Sequence, residues 1–447
     1  VSGKVWVLAA RSARHDSRTD GLGQTDRRDR RRFRGWWVIR SRLAGGHTSM
    51  MVGMSTLDYD VVVVGAGNGG LSAAALLKRR GCRDVALVEP SPVHVYKPLQ
   101  NYVGVGLGEI SELERFQADL IPAGVRWYQT SATRVDPAND AVHCADGTML
   151  RGADLLLAPG ARINWDAIPG ALDGLQGGRV CTTFLSDQLA RTSEMIASLR
   201  SGRAVFTLHG QPASGRETAL KPLFLACDGW RRRKVLDQIK VILVHDAGEL
   251  HPVPDIAREI RRHLDRYGVS LRSETTVTAV AGGNALMLHG PTGPERLPAD
   301  LIHLHPPYAA PDFVAASGLD ADGTNGFIAV DPGTLRHRAF RRVWAVGDAC
   351  DLGDARTGGA LRHQVKIVID NIQRSRRGLP LSHYDGYTVA PIATARGELS
   401  FGEYDRQFRV HRSLPVPDQI TARRVWWWLD RYALPQVYWH RIIKGRL

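Results

Sequence analysis

At 447 residues the chain is too long for one ordinary domain and suits two or three. Its 43% hydrophobic and 23% charged content is that of a folded protein, which excludes a wholly disordered chain, and no run of eighteen apolar residues offers a membrane-spanning helix. The formal charge of +14 sits mostly in residues 1–53, which hold twelve basic and four acidic side chains, so it does not argue for a nucleic-acid partner.

Residues 1–53 are rich in Arg, Ser, Asp and Gly and lack apolar periodicity. Arg30-Arg31-Arg32-Phe33-Arg34 resembles a twin-arginine export signal, but Trp36-Trp37-Val38-Ile39 is too short an apolar stretch to complete one. With Met51 and Met54 just before the first folded pattern, the segment is expected to be a disordered extension or a mis-assigned start.

From Tyr59 the pattern changes. Val61-Val62-Val63-Val64 predicts a strand buried on both faces. Gly65-Ala66-Gly67-Asn68-Gly69-Gly70 follows as a turn, Leu71–Arg80 as a helix ended by Gly81, and Val85-Ala86-Leu87-Val88 as a second buried strand. This is a βαβ unit whose turn matches G-x-G-x-x-G in the context that gives the motif meaning. The first glycine permits the tight turn, the second lets backbone approach a pyrophosphate, and the third lets helix and strand pack closely. The helix N-terminus offers free N–H groups to phosphate, and Glu89, ending the second strand, is placed to bind a ribose diol.

Further on, Leu155-Leu156-Leu157-Ala158-Pro159-Gly160 is an apolar strand running into Pro-Gly. A second α/β stretch opens near Arg203, with strands at Ala204–Leu208 and Val241–Val244 and a helix over Ile256–Tyr267. Between them, Leu208–Gly215 holds only Gly210 and Gly215, too few for a second nucleotide fingerprint. Strands return near Leu301–Leu304 and Val343–Val346, and Thr357–Ile372 predicts a helix. Arg342-Val343-Trp344-Ala345-Val346-Gly347-Asp348 is an apolar strand ending in Gly-Asp. It resembles the second FAD fingerprint of two-dinucleotide-fold flavoproteins, where the Asp binds the ribityl chain. Leu155–Gly160 resembles their intermediate motif, with Pro in the usual Thr place. Three fingerprints in this order make FAD the expected cofactor.

With those residues in place the chain resembles the sulfide:quinone oxidoreductases of the mitochondrial type from about Tyr59 to its end. Val88-Glu89-Pro90-Ser91, His94-Val95-Tyr96-Lys97-Pro98, His305-Pro306-Pro307 with Pro311-Asp312, Tyr384–Thr388 with Pro391, and Leu434-Pro435, Tyr438-Trp439 and Lys444-Gly445 carry the likeness. The resemblance implies a glutathione-reductase-like α/β fold with two Rossmann-like domains. FAD would bind in 54–172 with 320–390, the second fold would span 173–319, and a C-terminal segment, 391–447, would be open to membrane contact. It implies a cofactor site at Gly65, Gly67, Asn68, Gly69, Gly70, Glu89, Lys97, Ala132, Gly160, Asp348, Thr357, Gly358 and Gly359, with Gln364 a candidate on the quinone side.

In that family a disulfide beside the flavin is attacked by sulfide, and electrons pass through FAD to a membrane quinone. Here the two redox-cysteine positions align with Gly215 and Ala390, and neither can form a disulfide. Cys82, Cys144, Cys181, Cys227 and Cys350 form no CxxC and no metal-like cluster; as a sparse, odd set they suit a reducing cytoplasm. Cys181 and Cys350 are the candidates for a catalytic sulfur. The expected activity is therefore an FAD-dependent oxidoreductase passing electrons to a quinone from an unidentified small-molecule donor. Two alternatives stay open: a flavin NAD(P)H dehydrogenase, and a non-catalytic flavoprotein acting as a binding or sensor subunit. The tail, Arg423–Leu429 and Tyr438–Lys444, mixes Trp, Tyr, aliphatic and basic residues. It is expected to lie on the inner face of a membrane, on an otherwise cytoplasmic protein of undefined oligomeric state.

Overall fold

The four valines at Val61–Val64 are all buried, and β-branched side chains suit the pleated, two-sided burial of a central strand. They end β1 (Thr56–Val64), from which the chain turns through the glycines into α1 (Asn68–Arg79) and on to β2 (Val85–Val88). A computed structural model describes residues 56–209, 216–413 and 418–446. The basic segment 1–53 and Gly210 and Gly215 therefore lie outside the described residues.

Next come β3 (Val125–Tyr128), β4 (Ala132–Asp136), β5 (Ala141–Cys144) and β6 (Met149–Leu157). The strands form a sheet in the order β3-β2-β1-β6-β5-β4. β1 lies parallel to both β2 and β6. The far flank of β6 is shared: β5 pairs antiparallel with its first half, and a distant strand takes the second half.

The chain then builds a second sheet. β7 (Val180–Cys181), β8 (Gly202–Leu208), α2 (Leu220–Arg232), β9 (Ile239–His245), α3 (Pro254–Arg266) and β10 (Ser270–Arg272) lead to an antiparallel trio, β11 (Thr276–Ala281), β12 (Ala285–Gly290) and β13 (Gly293–Pro298). β14 (Leu301–His303) completes a parallel sheet in the order β7-β14-β8-β9-β10. The helix at Pro254–Arg266 buries Ile256, Ile260 and Leu264, a four-residue spacing that sets one apolar face against the sheet.

β15 (Val343–Ala345) returns to the first sheet beside β6. It is followed by α4 (Gly358–Arg376) and a hairpin of β16 (Thr388–Ala395) and β17 (Glu398–Tyr404). Thr357 caps α4, its hydroxyl accepting the Ala360 N–H at 3.1 Å. The tail is helical from Arg424 to Ile442, with wide π-type turns at Leu429–Ala433 and Tyr438–Ile442.

Candidate functional site

Strand register builds the site. Val64 pairs with Leu157, and Leu157 with Ala345, so β1, β6 and β15 end at one level. The three fingerprint turns, starting at Gly65, Ala158 and Val346, therefore emerge side by side at the carboxyl edge of one parallel sheet, where open α/β sheets place their ligands. Leu361 on α4 seals the junction. Its Cδ1 lies 3.3 Å from where a Cβ on Gly69 would sit and 3.4 Å from one on Gly347.

The glycines divide by physical cause. Gly65 has φ +91°, and a Cβ there would sit 2.4 Å from the Ala158 carbonyl oxygen; one on Gly70 would sit 1.7 Å from Gly65 O. Those two are required by the backbone itself. Gly67 is exposed with an extended ψ, and a Cβ there would meet nothing within 4 Å. Its smallness leaves room in front of α1, whose N-terminus has no side-chain cap and no acidic residue in its first turn. Gly160 also faces open space, and a Cβ on Gly358 would meet only Asn68 Nδ2, at 3.8 Å. These residues fit a dinucleotide: an open, amide-lined cradle bounded by the N-termini of α1 and α4. Gly359 has a different reason, because a Cβ there would collide with Val389 at 2.3 Å. It serves the packing of β16 on α4.

Glu89 ends β2 and orders the turn. Its carboxylate accepts the Ala66 N–H at 2.8 Å and the Ser91 N–H at 2.9 Å. The link from Tyr128 to Ala132 passes beside it, with the Glu89 N–H donating to Tyr128 O. Lys97 opens a short turn at the surface, close enough to bear electrostatically on His94. Asp348 follows Gly347, half-buried, and bears on Tyr308, Cys350 and Arg356.

Three expectations change. Gln364 is fully buried, its Oε1 accepting the Gly347 N–H at 2.9 Å and its Nε2 donating to Ala355 O at 2.7 Å. Both ends of the amide are occupied by backbone, so it pins the Gly-Asp turn and does not face a quinone pocket. Cys350 and Cys181 are fully buried free thiols. Burial pushes Cys181 up to about 12 and Cys350 higher still, away from the thiolate that redox chemistry uses. Ala390 is also fully buried, opposite Gly402 in the hairpin and next to the Val389 that packs on α4.

Several residues that position the cradle escape a linear reading. Buried His94 is the main one. Its Nδ1 lies 3.1 Å from Ala66 O and its Nε2 2.5 Å from the Tyr438 hydroxyl, tying the tail to the glycine turn. Burial, the largest influence, holds this histidine below its usual value and therefore neutral. Gln117 Nε2 also reaches Ala66 O, at 3.4 Å. His94 lies in one of the segments that carry the family likeness, but its role depends on contacts remote in sequence.

A family model described as pyridine nucleotide-disulphide oxidoreductase matches residues 59–374. The chain is 31% identical over 394 residues to the mitochondrial sulfide:quinone oxidoreductase of Dictyostelium discoideum, covering 86% of each. It is 26% identical to the mouse protein of the same name, covering 87% of each. Among solved structures it is similar in fold to the sulfide:quinone oxidoreductase of Aquifex aeolicus, with a TM-score of 0.72 at 15% identity over 87% of this chain and 92% of that one.

Proposed function

The chain belongs to the sulfide:quinone oxidoreductase family, within the pyridine nucleotide-disulphide oxidoreductases, and is an FAD-dependent oxidoreductase; from that premise we propose that it passes electrons through FAD to a quinone, from a donor that does not react through a paired disulfide. The observation that carries the reading is the common level of Val64, Leu157 and Ala345, which brings the three fingerprint turns side by side at one sheet edge. We assign FAD to 54–172 with 320–390 and the second Rossmann-like fold to 173–319. Bound there, the isoalloxazine supplies a reversible two-electron carrier.

The chain's own residues supply binding and orientation. The N-terminus of α1 and open Gly67 would receive the pyrophosphate, and Glu89 would accept from the ribose. Asp348 would take the ribityl chain, and the N-terminus of α4 would favour negative charge on a flavin held against it. Ala390 at one redox-cysteine position, and five unpaired thiols, support a donor chemistry other than a protein disulfide. A lipid-soluble acceptor accords with the tail. Val425, Trp428 and Tyr432 are 55%, 59% and 47% exposed, and Arg424 and Arg441 of the same tail are exposed too, a composition suited to a membrane interface. No helix among the described residues is long and apolar enough to cross a membrane.

The second parallel sheet supports a second reading, with NAD(P)H as donor. Against it, the first backbone N–H beyond β8, that of His209, is already taken by the His305 side chain at 3.2 Å. Anaerobic titration followed by decylubiquinone separates the readings. Bleaching of the flavin by sulfide or a small thiol, reversed by quinone, is the expected result. Bleaching by NADH alone would install the second reading, and no bleaching by any donor would leave a binding subunit.

A further inference from the structure

In the second sheet the chain runs from β8 to β9 to β10 on one side, while the later β14 lies on the other side of β8. The strand order reverses between β8 and β14, and such a reversal opens a crevice beyond the strand ends where α/β proteins bind ligands. Two histidines stand there: His209 follows β8 and His305 follows β14.

Their nitrogens are unevenly satisfied. His305 Nδ1 accepts the His209 backbone N–H at 3.2 Å, so the neutral ring carries its proton on Nε2. Burial, then the neighbouring His209, His303 and His245, holds His305 well below its usual value and keeps it neutral. The residue is fully buried, yet Nε2 has no hydrogen-bond partner among the described residues. A buried donor without an acceptor costs about 1–3 kcal/mol, so it calls for an explanation. The His209 ring lies 5.9 Å from that of His305, and its own Nε2 is buried without a partner as well. The other nitrogen, Nδ1, faces Asp246 Oδ2 at 3.5 Å. Phe184, at 4.8 Å, and Tyr308, at 6.3 Å, wall the His305 ring. Tyr308 in turn feels the charge of Asp348, which ends the Gly-Asp fingerprint.

One orphan nitrogen is a donor and the other, backed by a carboxylate, is free to accept a proton. We propose that this crevice captures a small weak acid HX as its anion, the proton passing to His209 Nε2 and X− accepting the His305 Nε2–H. Hydrogen sulfide and small thiols are the class that also serves a flavin as reductant, a point that rests on the function proposed above. No bond other than X–H breaks, and the proton stays on the His209–Asp246 pair, as in imidazole–carboxylate bases generally. Among the described residues, Asp246 faces His209, and the titratable groups about its partner His305 are His245 and His303.

The test is calorimetric titration of the FAD-loaded protein with azide, a redox-silent anion of a weak acid, and then with hydrosulfide. Saturable binding is expected, with a proton taken up from buffer for each azide bound. His305→Asn keeps an oxygen where Nδ1 accepts the His209 N–H but deletes the Nε2–H, so it should fold, retain FAD and bind azide at least about tenfold more weakly, a loss of about 1.4 kcal/mol. His209→Phe should abolish the proton uptake. Unchanged azide affinity in His305→Asn, or no saturable heat from either anion because a resident water alone fills the crevice, would overturn the proposal. Azide binding without flavin bleaching by hydrosulfide would leave the site standing and remove the donor reading.

Discussion

The hydroxyl of Tyr438 lies 2.5 Å from Nε2 of His94, and the other nitrogen of that imidazole lies 3.1 Å from the carbonyl of Ala66 in the glycine turn. A residue of the C-terminal tail is thus one side chain away from the backbone that cradles the cofactor. Tyr438→Phe should leave a buried imidazole nitrogen without its partner, costing about 1–3 kcal/mol. The expected result is faster FAD release on dilution, read from the rise of free-flavin fluorescence, with a lowered melting temperature. Release at the wild-type rate would separate the tail from the cradle.

Gly67 and Gly70 should fail differently. Gly67→Ala meets no protein atom within 4 Å and has an ordinary φ of −66°. It should melt near the wild-type temperature as apoprotein yet lose FAD affinity at least about tenfold, because only the ligand needs that space. Gly70→Ala would place a carbon 1.7 Å from Gly65 O and should fail to fold. Flavin content and thermal unfolding of the two variants read this directly. A Gly67→Ala protein that retains FAD normally would contradict the assignment.

Gln364→Leu removes two buried partners at once, the acceptor for Gly347 N–H and the donor to Ala355 O. A loss of about 2–5 kcal/mol in unfolding free energy is expected, from two buried backbone groups left unpaired. The quinone KM should not change. A raised KM with unaltered stability would return Gln364 to the acceptor site.

The tail divides into two kinds of tryptophan. Trp426 is 4% exposed and packs on Phe401, whereas Trp428 is 59% exposed. Trp426→Ala should destabilise by about 3–5 kcal/mol, the usual cost of emptying a buried aromatic site. Trp428→Ser with Val425→Ser should leave stability alone and reduce flotation with anionic liposomes several-fold. Equal flotation of the double variant and the parent would remove the membrane role.

Acid stability should depend on Glu259. Burial by itself would raise this carboxyl, but hydrogen bonds from His263 and Arg262 and from the Ala422 amide outweigh burial and bring it to about 2. A depressed carboxyl stabilises the fold above its unfolded value, near 4.5, and that contribution disappears as pH falls from there through about 2. Glu259→Gln should show a flatter loss of melting temperature between those limits, with a cost of up to about 3 kcal/mol at neutral pH by linkage. A parallel pair of pH profiles would show that the carboxylate carries no such load.

Much of the first βαβ unit was legible because its signals are local. A valine run, a glycine turn and an amphipathic helix each act within a few residues, and the structure begins α1 only three residues before the expected Leu71, where the glycines themselves enter the first turn. The Gly347-Asp348 turn was legible for the same reason. Gln364 was misjudged because a polar residue one turn into a helix reads alike whether it faces a ligand or a backbone amide. Only the position of Gly347 against α4 distinguishes them.

The amino-acid sequence by itself determined the strands and the glycine turn of the first βαβ unit, since each depends on residue type and short spacing. Tertiary structure alone decided that Tyr438 meets His94 across 344 residues and that His305 meets His209 across 96. Such contacts depend on strand order and on what packs over each sheet. Those follow from burial of apolar surface summed over the whole molecule, a quantity no short window of sequence contains.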